Sequence, residues 1–196
     1  MTLPLRVEPA HARHADGLVA LLASECSGCF CRWWHFEGDK NAWIGRCALE
    51  PERNEAALRE ALAAGSDDAR GVVALADDEV VGWLKLAPAA SVPKLYDQKL
   101  YRGLPVLDRP TAGVLAVACV VVRADRRRQG VAHALVGGAL EAARASGATC
   151  VEAFPRRSAE PVHDAELWMG PASAFVAQGF EVAHEFGPYP VLRRAP

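Results

Sequence analysis

A short basic turn between two apolar segments carries the residue types that bind phosphate groups. Arg126-Arg127-Arg128-Gln129-Gly130-Val131-Ala132 follows the β-branched run Val114–Val122 and opens a stretch with helical periodicity. A helix N-terminus leaves its first backbone amides unpaired and carries a partial positive charge. Gly130 and Ala132 leave those amides open to a phosphate, and the arginines add charge-assisted hydrogen bonds. The segment predicts a pyrophosphate site, although it does not by itself name the ligand.

A second group of chemically active side chains lies near the N-terminus. Cys26-x-x-Cys29-x-Cys31, with His35 four residues further on, supplies the thiol and imidazole groups that hold zinc in other proteins. The spacing is tighter than in most zinc sites, and the sequence has no second Cys-x-x-Cys pair that could complete such a site. We therefore favour cysteines that line the core or a pocket, and we expect no metal. In the absence of a secretory signal, all six cysteines are expected to be reduced.

Hydrophobic periodicity indicates the elements that position these residues. Helices are expected at His14–Ala23, Glu55–Ala64 (beginning near Pro51), Gln129–Ser146 and Pro171–Gln178, with a helical turn near Asn41–Cys47. Strands are expected at Leu5–Glu8, Gly71–Ala76, Val80–Leu86, Val114–Val122, Thr149–Phe154, Phe180–Ala183 and Val191–Arg193, and Pro88–Pro110 is read as a loop. Gly137-Gly138 weakens its helix, so we expect close packing there against the sheet. The order predicts an α/β fold around one central mixed sheet.

Composition and charge exclude several classes of protein. A chain of 196 residues suits one domain, here taken as residues 1–196. The 22 basic and 24 acidic residues give a net charge of −2, too balanced for a nucleic-acid surface. Val114–Val122 is the longest apolar run and is far shorter than the roughly 20 residues of a membrane span, and Met1–Arg6 lacks a signal peptide. We expect a cytoplasmic monomer or homodimer with no membrane or nucleic-acid partner.

The basic turn and its flanking elements together resemble a known family. Arg127-x-x-Gly130-x-Ala132, between a buried strand and an amphipathic helix, resembles the acetyl-CoA motif of the GNAT superfamily of N-acetyltransferases. Phe175-x-x-x-Gly179-Phe180 resembles the family's closing helix-to-strand junction, and Cys29-Phe30-Cys31-Arg32-Trp33-Trp34 is similar to a subgroup with an N-terminal Cys-x-Cys-x-x-Trp segment. The resemblance implies a GNAT-like fold: a central mixed, mostly antiparallel sheet flanked by helices, with splayed parallel strands at the cofactor site.

The resemblance also implies a reaction and a cofactor site. The expected reaction moves an acetyl group from acetyl-CoA to a primary amine of a small molecule or peptide. The strand at Thr149–Phe154 would splay from Val114–Val122 and open a slot for the thioester. Backbone groups along Val120, Val121 and Val122 would pair with the pantetheine arm like an added strand, and an amide near Val120 would stabilise the developing oxyanion. The residues implied for the pyrophosphate are Arg127, Arg128, Gln129, Gly130, Val131 and Ala132.

The acid and base of such a reaction are less defined. Phe175 stands where many family members carry a tyrosine that protonates the leaving thiolate, so another group serves or the thiolate leaves unaided. Candidates for the base are Glu152, His163, Asp164 and Glu166. Glu152 is the first choice, because a lone carboxylate in an apolar strand has a raised pKa if it is buried. The alternative is that Glu152 points outward or pairs with an arginine.

The acceptor is left open by the sequence, since this fold hosts many acceptors. Trp33 and Trp34, together with Phe36, are expected to border the acceptor pocket, because the N-terminal helices lie beside that pocket in the family that the chain resembles. Phe175 is assigned to the substrate pocket as well. Two other functions remain possible at this point. Phe175 and the lack of an obvious acid–base pair favour a non-catalytic acyl-CoA sensor or interaction module. A small zinc protein that binds a macromolecule is a third interpretation, which applies only if the cysteine segment holds a metal.

Overall fold

The computed structural model of the chain describes residues 5–158, 160 and 163–196. Its helices are α1 (Ala15–Glu25), α2 (Lys40–Leu49), α3 (Pro51–Ala63), α4 (Pro93–Tyr96), α5 (Val131–Ala145) and α6 (Ala172–Ala177). Its strands are β1 (Arg6–Pro9), β2 (Gly71–Ala76), β3 (Glu79–Pro88), β4 (Val114–Val122), β5 (Cys150–Ala153), β6 (Glu181–His184) and β7 (Val191–Arg194). The expected elements are confirmed to within a few residues at their ends. The expected loop at Pro88–Pro110 is corrected, because β3 extends to Pro88 and the short helix α4 follows.

The described strands form one seven-stranded mixed sheet in the order β1-β2-β3-β4-β5-β7-β6. Every neighbouring pair is antiparallel except β4 and β5, which run parallel. A parallel pair needs a crossover connection, and α5 supplies it between the two strands. The buried apolar sequence of β4 fits this central position, where both faces of the sheet are covered.

The two faces of the sheet pack against different helices. On one face, α5 packs against β1, β2, β3 and β4, with a core that includes Leu135, Val136 and Leu140. On the other face, α1 and α3 contribute leucines that pack around Trp83 and Cys119. A third apolar cluster lies near α4 and includes Trp34, Tyr101 and Phe154. Among the described residues, no helix has the length and apolar content that a bilayer-spanning segment requires.

The glycine pair in α5 marks a close approach of this helix to the sheet. A Cβ atom at Gly138 would lie 2.3 Å from Cγ1 of Val7 on β1, so a side chain there would displace one of the two elements. A Cβ atom at Gly137 would instead meet the flexible end of Gln178, whose Nε2 lies 3.0 Å away. Close packing against the sheet is therefore found at Gly138 but not at Gly137.

Candidate functional site

The parallel strands β4 and β5 separate partway along their length. Their register pairs Val114 with Cys150, Leu115 with Val151 and Ala116 with Glu152, and the pairing ends there while β4 continues to Val122. Beyond Ala116, one edge of β4 no longer pairs with β5. This free edge borders a cleft of about 950 Å³, which we call the β4 cleft. The splay expected between these two strands is thus present, and it lies directly before the basic turn.

Most of the residues implied for cofactor binding line the β4 cleft. These are Val120, Val121, Val122, Arg127, Arg128, Gly130, Val131 and Ala132. Gln129 is the exception, because its side-chain amide donates to the carbonyl of Asp125, 2.8 Å away, and it is not part of the lining. Lining residues that sequence reasoning did not select include Glu25, Cys26, Cys119 and Trp168.

The start of α5 presents backbone amides to the cleft. Arg128 and Gly130 have left-handed backbone conformations, with φ of +60° and +84°, which turn the chain sharply into the helix. A Cβ atom at Gly130 would meet nothing within 4 Å, so the approach to the helix end is open. The amide of Ala134 donates to the carbonyl of Gly130 at 3.0 Å, and the amides before it belong to the unpaired first turn. This arrangement suits an anion.

Glu25, the last residue of α1, joins the basic turn from the other side of the cleft. One carboxylate oxygen accepts from the guanidinium of Arg127, and the other accepts the backbone N–H of Ala124 at 2.9 Å. Arg127 also donates from Nε to the carbonyl of Val122, 3.2 Å away. The side chain of Arg127 is therefore held in place between the end of α1 and the end of β4. No sequence pattern indicates this contact, because 102 positions separate the two residues.

The amide of Val120 has a partner within the chain. It donates to the carbonyl of Trp168 at 2.8 Å, so the segment that contains Trp168 lies against the free edge of β4. Gly170 permits this approach, since its φ is +88° and a Cβ atom there would lie 3.0 Å from Cγ2 of Val120. The indole of Trp168 is partly exposed and stacks on Trp34 with 5.6 Å between ring centroids. A ligand that uses the Val120 amide must displace this carbonyl.

Glu152 is buried as expected, but its surroundings do not support the role of a base. The side chain is 2% exposed and is not part of the β4 cleft lining. Oε1 accepts from Nη2 of Arg109 at 2.8 Å and from Nε of Arg193 at 2.7 Å, and Oε2 accepts from the hydroxyl of Tyr96 at 2.7 Å. Burial and this carboxylate raise the pKa of Tyr96. Glu152 therefore pairs with arginines, which is one of the two alternatives to a catalytic role that the sequence left open.

Other expected site residues lie outside the β4 cleft. Phe175 is fully buried and packs edge-on against Phe180, 5.3 Å between centroids, so its predicted place in a substrate pocket is not found. Trp34 is buried and donates its indole N–H to the carbonyl of Ala118 at 2.7 Å, and Trp33 packs against Trp43. These two tryptophans support the cleft wall through the stacking of Trp34 on Trp168, but they do not line it.

The other base candidates are distributed differently. His163 lines the β4 cleft. Glu166 forms an ion pair with Arg156 and borders a separate cavity of about 60 Å³, which Tyr101 and Tyr189 also line. The side chain of Asp164 lies outside the described part of the structure. Of the described candidates, His163 is the one placed at the cleft.

The four residues considered as zinc ligands do not converge. His35 Nδ1 lies 3.2 Å from a carboxylate oxygen of Asp68, and burial lowers the pKa of His35 to about 4. Cys31 instead faces Cys119 on β4, with 3.0 Å between the sulfur atoms. Within the described ranges, no group of three or more His, Cys, Asp or Glu side chains is arranged to hold a metal ion.

Comparison with solved structures supports the fold. PaiA N-acetyltransferase from Thermoplasma acidophilum in complex with coenzyme A has a TM-score of 0.54 and 9% identity. The GNAT family N-acetyltransferase YhbS from Escherichia coli in complex with CoA has a TM-score of 0.52 and 17% identity. Ribosomal-protein-alanine N-acetyltransferase from Brucella melitensis has a TM-score of 0.51 and 16% identity. They align with 99%, 100% and 97% of this chain and with 100%, 83% and 99% of their own chains. At these identities the likeness establishes the fold alone.

Comparison at the level of sequence identifies the family. No curated protein matches the chain. The sequence model of the acetyltransferase (GNAT) family matches residues 40–165, a range that contains β4, the basic turn, α5 and β5. This match covers more than half of the chain and includes the elements that build the β4 cleft. The chain therefore belongs to the GNAT family of acetyltransferases.

Proposed function

We propose that the chain transfers the acetyl group of acetyl-CoA to a primary amine by direct attack. Membership of the family supports the reaction class, and two of the similar structures were solved as complexes with CoA. The single observation that carries the proposal is the continuity of the β4 cleft, which joins the open start of α5 to the free edge of β4 where β5 departs. An anion site and an extended slot along a strand edge in one cleft match the pyrophosphate and the pantetheine arm of CoA.

Each part of the β4 cleft has a proposed task. The amides at the start of α5, with Arg127 and Arg128, hold the pyrophosphate, and Glu25 keeps Arg127 in position. The free edge of β4 pairs with the pantetheine arm through Val120 and Val122. The Val120 amide then donates to the thioester carbonyl in place of the Trp168 carbonyl, which it binds at 2.8 Å in this structure. An oxyanion donor of this kind is typically worth about 3 kcal/mol in the transition state.

The chemical step forms a carbon–nitrogen bond, breaks the carbon–sulfur bond and moves one proton from the amine to a base. The neutral amine forms a bond to the thioester carbon, the carbon–sulfur bond breaks, and the amine proton leaves while the thiolate of CoA departs. We propose His163 as the group that takes the proton, because it is the described base candidate that lines the cleft. Glu152 is not proposed for this role, since three donors occupy its oxygens away from the cleft.

Gly130→Glu tests the proposed anion site. The new carboxylate would enter the open space above the α5 amides and repel the pyrophosphate, so we expect CoA binding to be lost. Gly147→Glu is the matched control at the other end of the same helix, because Gly147 also has a left-handed φ, +72°, and open space around its Cβ position. Both variants carry a similar backbone strain of about 1–2 kcal/mol.

The measurement is the CoA dissociation constant by calorimetry, with thermal unfolding to verify folding of both variants. The expected result is no detectable binding for Gly130→Glu and near-normal affinity for Gly147→Glu. Equal affinities would contradict the proposed site. Release of CoA thiol across a panel of primary amines then tests the reaction, and tight CoA binding without turnover on any amine would argue for a sensor instead.

A further inference from the structure

Four of the described cysteines line the β4 cleft, and the thiols of two of them lie side by side. The sulfurs of Cys31 and Cys119 are 3.0 Å apart, and the neighbouring Cys31 thiol and burial raise the pKa of Cys26. Cys31 and Cys119 are 4% and 7% exposed, and all three residues line the cleft. Of the remaining described thiols, Cys29 also lines the cleft, whereas Cys47 lies near Asn54 at 3.8 Å and Cys150 lies near Arg109 at 3.5 Å. The wall of the cleft is therefore a place where two protein thiols can react with each other.

We propose that Cys31 and Cys119 form a reversible disulfide at the wall of the β4 cleft, with a low-molecular-weight disulfide as the oxidant. One protein thiolate attacks the small disulfide, which gives a mixed disulfide and releases one small thiol. The second protein thiolate attacks the protein sulfur of that mixed disulfide and releases the other small thiol. The two cysteines together lose two protons and two electrons, and the oxidant gains them as two thiols.

The local geometry favours this pair. A disulfide has a sulfur–sulfur distance of about 2.0 Å, so the sulfurs need to approach by about 1 Å. Cys119 is fixed in β4, where it pairs with Lys85 of β3, so the movement falls on the turn that carries Cys31. That turn is irregular, with left-handed backbone at Ser27, Phe30 and Cys31, φ of +33°, +47° and +53°. The disulfide would draw this turn onto β4 next to Val120.

Peptide mapping of the full chain tests the proposal directly. The chain is incubated with oxidised glutathione at about pH 8.5, because the hydrogen bond to Cys119 and burial raise the pKa of Cys31. Unreacted thiols are then alkylated and the protein is digested with trypsin. Cys26, Cys29 and Cys31 lie in the peptide of residues 14–32, and Cys119 lies in that of residues 103–123. We expect a product two hydrogen atoms lighter, with these two peptides joined, and its reversal by dithiothreitol.

Single variants identify the sulfurs involved. Cys31→Ser and Cys119→Ser should each abolish the joined peptides, whereas Cys26→Ser, Cys29→Ser and the control Cys150→Ser should retain them. The peptide map of the wild-type chain tests the proposal even if a variant of a buried cysteine fails to fold. Glutathione adducts without joined peptides, or a link contained within residues 14–32, would overturn the proposal.

A second experiment on the disulfide rests on the proposed function. If CoA occupies the β4 cleft, it covers both thiols, so saturating CoA should slow formation of the link at least about tenfold, as expected when the reacting form is the free protein. If the link forms at the same rate with and without CoA, the disulfide proposal stands and the proposed CoA site is contradicted. The two failures are therefore distinguishable.

Discussion

At the scale of single residues, Glu152 shows how one carboxylate can suit two different roles until its neighbours are known. Its position in an apolar strand agrees with a raised pKa and a catalytic role, and it agrees equally well with a buried ion pair. Arg109 and Arg193 favour the buried ion pair, and they come from the loop before β4 and from β7, far away in sequence. Each has a partly exposed side chain, while the carboxylate between them is 2% exposed.

Glu152→Gln should therefore affect stability rather than chemistry. The substitution keeps the shape but removes the charge that two guanidinium groups share, so we expect the free energy of unfolding to fall by about 3 kcal/mol. Glu185→Gln is the matched control, because Glu185 makes an exposed ion pair with Arg157 at 2.9 Å and should cost less than about 1 kcal/mol. Urea denaturation measures both. A large loss of turnover in folded Glu152→Gln, with stability unchanged, would restore the catalytic role.

At the scale of elements, the connection β4–turn–α5 combines two requirements in a continuous stretch of chain. The strand must be buried and yet leave one edge free, and the helix must begin with its amides uncovered. Val114–Val122 satisfies the first because β5 follows it for only three register pairs. The left-handed residues Arg128 and Gly130 satisfy the second by turning the chain away from the helix axis. The turn into the helix is local to the family motif, which explains why the motif could be recognised, whereas the free edge of β4 depends on where β5 stops pairing.

The glycine pair in α5 provides a test of how this helix is seated. Gly138→Ala should destabilise the protein by about 1–2 kcal/mol, because the new methyl group overlaps Cγ1 of Val7 at 2.3 Å and the gain in helix propensity does not offset the clash. Gly137→Ala, its neighbour, should be neutral or stabilising by up to about 1 kcal/mol, because only the end of Gln178 has to move. Thermal unfolding compares the two. Equal effects would mean that α5 is seated less closely on β1.

At the scale of the whole molecule, the β4 cleft is assembled from parts that the chain brings together from both ends. Glu25 and the cysteine segment come from the N-terminal third, β4 and the start of α5 from the middle, and His163 and Trp168 from the region before α6. The Val120 amide donates to the carbonyl of Trp168. A thioester can therefore accept from this amide only after the segment that contains Trp168 moves. If CoA binds as proposed, the occupied cleft must differ locally from the cleft in this structure.

The required movement should be visible in tryptophan fluorescence. Addition of CoA should change the emission, because Trp168 is 43% exposed, lines the cleft and stacks on Trp34. Trp168→Phe should lose most of that change. Trp43→Phe is the control, since Trp43 packs against Trp33 and Phe36 and is not part of the cleft lining. A change retained in full by Trp168→Phe would show that this segment stays in place when CoA binds.

The sequence by itself determined the elements, the family motif and the backbone part of the candidate site. Periodicity and turn residues depend on neighbouring positions, so β2, β4, α5 and the basic turn could be located from local patterns. The contacts that decide chemistry join residues far apart in sequence, and only the tertiary structure decided them. Glu25 on Arg127, Trp168 on Val120, Cys31 against Cys119 and the arginines around Glu152 all join different elements. No local spacing encodes these contacts, because they form only when the helices and strands pack together.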